Sequence, residues 1–113
     1  MSVGLLGDQD SISVEQLAEW QQARAPHTIL DVREADELAI CQIANALHIP
    51  MSQVPSRLAD LPADEPVVVM CHHGMRSMRV VKFLRGAGLL NAVNLDGGID
   101  AWARQIDTSV QLY

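Results

Sequence analysis

The sequence predicts an α/β domain with an open, mainly parallel sheet and helices on both faces. Apolar strand-like segments and amphipathic helical segments alternate about four times along the chain, which is the pattern of repeated strand–helix units. The apolar segment at residues 67–70 lacks polar alternation, as expected of a central parallel strand covered on both faces. Hydrophobic residues make up 49% of the 113 residues, which is enough for one packed core.

The first half of the chain begins with a predicted helix. Ser13 followed by Gln16 is a capping-box pattern, which marks a helix start, and Pro26 ends that segment. The segments that follow are, in order, a strand at 28–32, a short helix at 34–39, a strand at 46–49 and a helix at 52–61. These alternating periods favour parallel strands joined by helices.

The second half of the chain repeats this alternation. Its segments are a strand at 67–70, the clearest helix at 75–87, a strand at 92–95 and a last helix at 99–105. Asp31, Cys71 and Asp96 each occur at or just after the end of a predicted strand. Because ligands of such folds bind outside the carboxyl ends of the strands, these three residues are expected at the functional edge of the sheet.

Cys71 is the candidate catalytic nucleophile. It follows the apolar run at 67–70, and a short loop containing Gly74 leads from it into the next helix. This arrangement puts a thiol over the positive end of a helix, where the pKa of a cysteine falls from about 8.5 by one to several units. The thiolate formed in this way is the reactive species.

The loop after Cys71 is the candidate anion-binding site. Its backbone N–H groups can converge on one point, and Gly74 permits the positive φ that such a curl needs. Arg76 adds a cation with a planar fork of donors. The predicted substrate-binding residues are His72, His73, Gly74, Met75, Arg76 and Ser77. The alternatives are a buried structural thiol at Cys71 and a surface arginine at Arg76 that pairs with solvent or a carboxylate.

Three motifs in order carry a resemblance to a known family. They are Ile29-Leu30-Asp31-Val32-Arg33-Glu34, Cys71-His72-His73-Gly74-Met75-Arg76-Ser77 and Asp96-Gly97-Gly98-Ile99-Asp100-Ala101-Trp102. They resemble the early strand motif, the active-site loop and the C-terminal Gly-Gly…Ala-Trp signature of single-domain rhodaneses, which are sulfurtransferases. The resemblance covers residues 11–107, with tails expected at 1–10 and 108–113.

The resemblance implies a rhodanese fold and a persulfide intermediate on Cys71. A sulfane sulfur would pass from a donor such as thiosulfate to cyanide, a thiol or a protein, with the donor held by the loop amides and Arg76. No metal or organic cofactor is expected. The chain departs from the family at Cys41-Gln42-Ile43, where the family often has Gly-His-Ile, and this departure affects the predicted geometry of that loop.

Two other functions remain open from the sequence. The first is a persulfide carrier that binds a partner protein and has little turnover with small donors. The second is a phosphatase or arsenate reductase that uses the same thiolate. Four residues separate Cys71 from Arg76, whereas related dual-specificity phosphatases have one more, so the shorter loop favours sulfur transfer.

Composition limits the partners of the chain. The formal net charge of −6 argues against nucleic acid or an anionic membrane surface. Residues 1–8 lack the basic and long apolar regions of a signal peptide, which predicts a cytoplasmic location. The two cysteines, Cys41 and Cys71, are then expected to be free. Neighbouring residues of an extended segment point to opposite faces, so Cys71, His72 and His73 are not expected to form a metal site.

The remaining polar candidates have supporting roles in the predicted site. Asp31 and Arg33 are expected to stabilise the sheet edge through a salt bridge. His72 and His73 are expected mainly to supply backbone amides, with proton transfer as the alternative. Cys41 is expected to be structural or incidental, and a resolving role toward oxidised Cys71 is its alternative.

Overall fold

A five-stranded, entirely parallel sheet organises residues 9–113. The computed structural model describes residues 9–113, so the first eight residues of the predicted N-terminal tail lie outside the described part. The strands are β1 (Ser11–Ile12), β2 (Thr28–Asp31), β3 (Leu47–His48), β4 (Val67–Met70) and β5 (Ala92–Leu95). Their order in the sheet is β1-β5-β4-β2-β3, and every pairing is parallel. This confirms the predicted open parallel sheet and places β4 at its centre.

In the described residues, four α-helices and one 3₁₀ segment accompany the strands, and all of them except the last helix lie between two strands. They are α1 (Val14–Gln22), α2 (Ala35–Leu38), the 3₁₀ segment (Met51–Asp60), α3 (Met75–Gly86) and α4 (Gly98–Gln105). The Ser13 side chain accepts a hydrogen bond from the amide of Gln16 at 3.1 Å, as the capping pattern predicts. Within residues 9–113, no helix has the length and apolar character needed to cross a membrane.

The helix predicted at 52–61 is instead two short 3₁₀ turns that meet at a kink. The kink lies at Arg57, whose φ of −125° is not helical. Pro55 lies inside this segment, and its ring removes one backbone donor that a continuous α-helix would use. The apolar spacing that predicted the helix still serves packing, since Val54 is buried against the sheet.

Separate apolar clusters cover the two faces of the sheet. Val67 and Val69 point into one cluster with α3, while Val68 and Met70 point into the other, which contains Trp102. All four side chains of β4 are fully buried. The lack of polar alternation in this strand therefore reflects burial on both faces, as predicted.

Strand β1 is an element that the sequence analysis missed. Ser11 and Ile12, just before the predicted helix, pair in parallel with Asn94 and Leu95 of β5. Two residues are too few to show a period of two in the sequence. The pairing places Ile12 in the core beside α1 and α4.

Candidate active site

Cys71 lies at the centre of the candidate site, directly after the central strand β4. The residue is only 1% exposed. Its sulfur accepts hydrogen bonds from the amide of Gly74 at 3.1 Å and from the amide of Ser77 at 3.4 Å. The Ser77 hydroxyl lies 3.3 Å from the sulfur and 2.5 Å from Oδ1 of Asn94, and it has one proton to share between them. The backbone therefore curls around the sulfur, as the loop spacing predicted.

These contacts change the acidity of the thiol. Burial raises the pKa of Cys71, because it disfavours the charged form. The hydrogen bonds from Ser77 and Gly74 favour the thiolate and outweigh burial, so the pKa of Cys71 lies below its ordinary value. The loop contacts thus favour the charged form of this thiol more than burial disfavours it.

Helix α4 holds the loop backbone from outside. The carbonyl of Cys71 accepts from the amide of Ile99, and the carbonyl of His72 accepts from the amide of Asp100, each at 3.0 Å. Gly98, at φ +60°, makes this close approach possible, since a Cβ there would lie 2.5 Å from both carbonyl oxygens. The second glycine of the Asp96-Gly97-Gly98 turn is thus required by contact with the active-site loop.

Gly74 meets the conformational demand that the sequence predicted. It lies at φ +104° immediately before α3, a region of backbone space that L-residues with a side chain rarely adopt. A Cβ at this position would lie 3.3 Å from the amide nitrogen of Gly97. Gly74 therefore lets the loop turn into α3 while it packs closely against the turn before α4.

Arg76 forms a two-pronged ion pair with Glu37 of α2. Its two terminal nitrogens lie 2.7 Å from the two oxygens of that carboxylate. Hydrogen bonds from Arg76 are the main reason that the pKa of Glu37 falls to about 2. Of the roles considered for Arg76, pairing with a carboxylate is therefore the one present in this structure. Sequence reasoning did not identify Glu37, since nothing local marks a contact with a residue so far along the chain.

Tyr113 joins this network although it lies in the predicted C-terminal tail. Its hydroxyl donates to Glu37 at 2.9 Å and accepts from Arg33 at 3.0 Å. Its ring stacks on the His72 ring with 3.7 Å between centroids. Burial is the main reason that the pKa of Tyr113 rises to about 12, so the hydroxyl keeps its proton at neutral pH. Sequence reasoning also missed this residue, which lies outside any periodic element.

Asp31 and Arg33 form the salt bridge that the sequence predicts at the sheet edge. The pair is fully buried, with 2.8 Å between Nη2 of Arg33 and Oδ2 of Asp31. The same nitrogen donates to the carbonyl of Cys41 at 2.8 Å. Arg33 therefore fixes the segment in which the chain departs from the rhodanese pattern.

Cys41 lies in a different environment from Cys71. It is half-buried and unpaired, and its sulfur lies 3.9 Å from Nη1 of Arg33. It lines an open cleft of about 920 Å³ together with His27 and Trp102, and none of residues 71–77 lines this cleft. This cleft is thus separate from the candidate active site.

The two loop histidines lie together instead of pointing to opposite faces. Their rings stack with 3.9 Å between centroids, because the loop bends and is not extended as the sequence reasoning assumed. With Asp100 they form a group whose metal-ligating atoms lie within 4.8 Å of one another. Arg104 already pairs with Asp100 at 3.0 Å, which opposes a cation there. Burial is the main factor that lowers the pKa of His72.

Comparison with known proteins places this geometry in a family. The profile of the Rhodanese-like domain family matches residues 13–105. The putative sulfurtransferase YtwF of Bacillus subtilis is 40% identical over 91 residues, which cover 80% of this chain and 87% of that protein. The crystal structure of a rhodanese-like domain protein from Staphylococcus aureus superposes with a TM-score of 0.80 and 33% identity, covering 93% of this chain and 99% of that one.

Some relatives are much longer than this chain. The adenylyltransferase and sulfurtransferase uba4 of Ogataea parapolymorpha is 32% identical over the whole chain, but the match covers only 28% of that protein. The chain thus spans about a quarter of such relatives and most of the length of YtwF. In sequence and in fold, the chain belongs to the rhodanese-like family of sulfurtransferases.

Proposed function

We propose that Cys71 is the nucleophile of a sulfurtransferase that accepts a sulfane sulfur from a donor such as thiosulfate. The Cys71 thiolate attacks the outer sulfur of the donor, and a new S–S bond forms. The bond between that sulfur and the sulfonate sulfur breaks, and sulfite leaves with the bonding electron pair. Cys71 then carries a persulfide, and the charge is conserved.

The second step returns the cysteine to its thiolate form. A nucleophilic acceptor, such as cyanide, a thiol or a protein group, attacks the terminal sulfur of the persulfide. The electron pair of the S–S bond returns to the Cys71 sulfur, so that each turnover uses one donor and one acceptor. This is covalent, ping-pong catalysis and requires no external oxidant.

The observation that carries this proposal is the pair of backbone amides directed at the Cys71 sulfur. The amides of Gly74 and Ser77 donate to it at 3.1 and 3.4 Å. The same kind of donor would stabilise the negative charge on the terminal sulfur of a persulfide. Met75, the first residue of α3, is 76% exposed, so this edge of the loop faces solvent.

Access to the sulfur favours sulfur chemistry over phosphate hydrolysis. Cys71 is 1% exposed, so a substrate reaches it most readily through one terminal atom such as a sulfane sulfur. A phosphate ester would have to bring a tetrahedral centre and three oxygens into the same loop, which has four residues between Cys71 and Arg76. We therefore expect no useful hydrolysis of aryl phosphates.

Intact-protein mass spectrometry tests the proposal. After exposure to thiosulfate, the wild type is expected to gain the mass of one sulfur atom and to lose it on addition of cyanide or a thiol. Efficient hydrolysis of aryl phosphates without any sulfur uptake would contradict the proposal. Uptake of sulfur without turnover by small acceptors would instead identify a persulfide carrier whose acceptor is another protein.

A further inference from the structure

The carboxylate of Glu37 has its full set of hydrogen-bond donors. One oxygen accepts from Arg76 and from the Tyr113 hydroxyl, at 2.7 and 2.9 Å. The other accepts from Arg76 and from the amide of Glu34, at 2.7 and 2.9 Å. An ionised carboxylate has about four acceptor positions, so every position of Glu37 is in use.

Tyr113 links this carboxylate to the rigid interior of the domain. Its hydroxyl accepts from Arg33 at 3.0 Å, and that guanidinium is held by Asp31 in a fully buried ion pair. Its ring rests on His72, the residue next to Cys71. Tyr113 therefore positions Glu37 from one side, while the first turn of α2 positions it from the other.

This arrangement leaves little free positive charge at the site. Both terminal nitrogens of Arg76 already bind Glu37, and the chain as a whole carries a formal charge of −6. A small anion that approaches the loop therefore meets an ion pair, not an unpaired cation. The Arg76 side chain is 33% exposed, so an exchange of partners does not require the core to open.

We propose that Glu37, held in place by Tyr113, competes with anionic sulfur donors for Arg76 and so determines how tightly the site binds them. Glu37 is then a specificity-determining residue, and Tyr113 is a positioning residue that acts through it. This inference rests on the proposed function, because it concerns the donor of the same reaction. The pairing disfavours small, strongly anionic donors such as thiosulfate relative to donors that need no contact with Arg76.

The test measures thiosulfate binding by isothermal titration calorimetry in a background that cannot react, Cys71→Ser. Adding Glu37→Gln removes the charge and keeps one acceptor oxygen, which can accept from the Glu34 amide or from the Tyr113 hydroxyl but not from both, since these donate to different oxygens of the carboxylate. The dissociation constant for thiosulfate is expected to fall about two- to fivefold, as expected for loss of a partly exposed ion-pair partner. Tyr113→Phe keeps the stack on His72 and removes the hydroxyl, so a smaller decrease in the same direction is expected.

Glu34→Gln is the matched control. It removes one nearby negative charge, but its side chain does not contact Arg76 among the described contacts, so it should change the dissociation constant less than Glu37→Gln does. Adding Arg76→Ala to Glu37→Gln should abolish the gain in affinity. With Cys71 restored, Glu37→Gln should lower the KM for thiosulfate and leave kcat nearly unchanged.

Two results would overturn the inference. One is an unchanged or weaker affinity in Glu37→Gln when circular dichroism shows an intact fold. The other is the absence of thiosulfate binding in every variant, including those in which Arg76 is released. Failure of the proposed function gives a different result. Intact mass would then show no sulfur on the wild type, while the dissociation constant for thiosulfate would still change in Glu37→Gln.

Discussion

Cys71 and Cys41 are the two thiols of this chain, and their surroundings differ in the features that control reactivity. Cys71 is 1% exposed, and two backbone amides and a hydroxyl lie within 3.4 Å of its sulfur. Cys41 is half-buried, and its sulfur contacts a guanidinium nitrogen of Arg33 at 3.9 Å. The donors around the Cys71 sulfur are thus neutral groups at short range, whereas Cys41 has a charged neighbour at a longer distance.

The difference lies in what fixes the donors around each sulfur. Cys71 follows the central strand β4 and precedes α3, and α4 holds its carbonyl from outside. Cys41 lies in an irregular segment between α2 and β3. Donors that are held by regular structure need no reorganisation when charge develops on the sulfur, which is what makes them effective in catalysis. Four experiments test this contrast.

The largest expected effect is the loss of sulfur transfer in Cys71→Ser. A hydroxyl in this position is not ionised near neutral pH and forms no persulfide. Sulfur uptake from thiosulfate, measured by intact mass, should be absent while the circular dichroism spectrum is unchanged. Cys41→Ser should retain most of the activity. An inactive Cys41 variant beside an active Cys71 variant would reverse the assignment.

A large effect on stability is expected from Gly98→Ala. The added Cβ would lie 2.5 Å from the carbonyl oxygens of Cys71 and His72, and a non-glycine residue at positive φ costs about 1–3 kcal/mol. Urea unfolding should show this loss, and sulfur uptake should slow as the loop is displaced. Gly86→Ala is the control, because no atom lies within 4 Å of its added Cβ. Equal stability of both variants would show that contact with α4 does not constrain the loop.

A shift in the pH dependence of alkylation is expected between the two thiols. The pKa of Cys71 lies below its ordinary value, so its thiolate forms at lower pH and its reaction with iodoacetamide should rise at lower pH. Peptide mass spectrometry can follow Cys71 and Cys41 in the same sample. Burial slows the access of iodoacetamide to a thiol at every pH. The comparison therefore uses the pH at which each alkylation rate rises, and not the size of the rate. Coincident profiles that rise only above about pH 8 would remove the activated thiolate from the mechanism.

The smallest of the four effects is expected from Ser77→Ala. The substitution removes the hydroxyl at 3.3 Å from the sulfur but keeps the backbone amide at 3.4 Å. Loss of one hydrogen bond to a charged group should slow sulfur uptake about tenfold and move the alkylation profile of Cys71 to higher pH. Ser56→Ala, on an exposed turn, should change neither. An unchanged profile in Ser77→Ala would show that the backbone donors suffice.

Local patterns in the sequence account for the parts of the fold that were predicted. The apolar run Val67–Met70 identifies the central strand, because a strand buried on both faces carries no polar residue. Gly74 marks a place where the backbone takes a positive φ, as predicted. The position of Cys71 follows from these neighbours alone.

The site residues that the sequence did not predict depend on contacts between distant parts of the chain. Glu37 and Tyr113 meet Arg76 and His72 only in the folded domain. Tyr113 lies in a segment without regular structure, so no periodicity indicates which way its ring points. Their contribution to the site, and with it the pairing of Arg76, therefore depends on the tertiary structure and not on any local pattern.

The contact between α4 and the active-site loop also sets an order of assembly. The carbonyls of Cys71 and His72 are held by amides of Ile99 and Asp100, which are made later in synthesis than the loop itself. Until α4 docks, these carbonyls face water and the loop lacks its outer support. In a nascent or partly unfolded chain the loop around the Cys71 sulfur therefore lacks two of its backbone hydrogen bonds, and it gains them only when the last helix is in place.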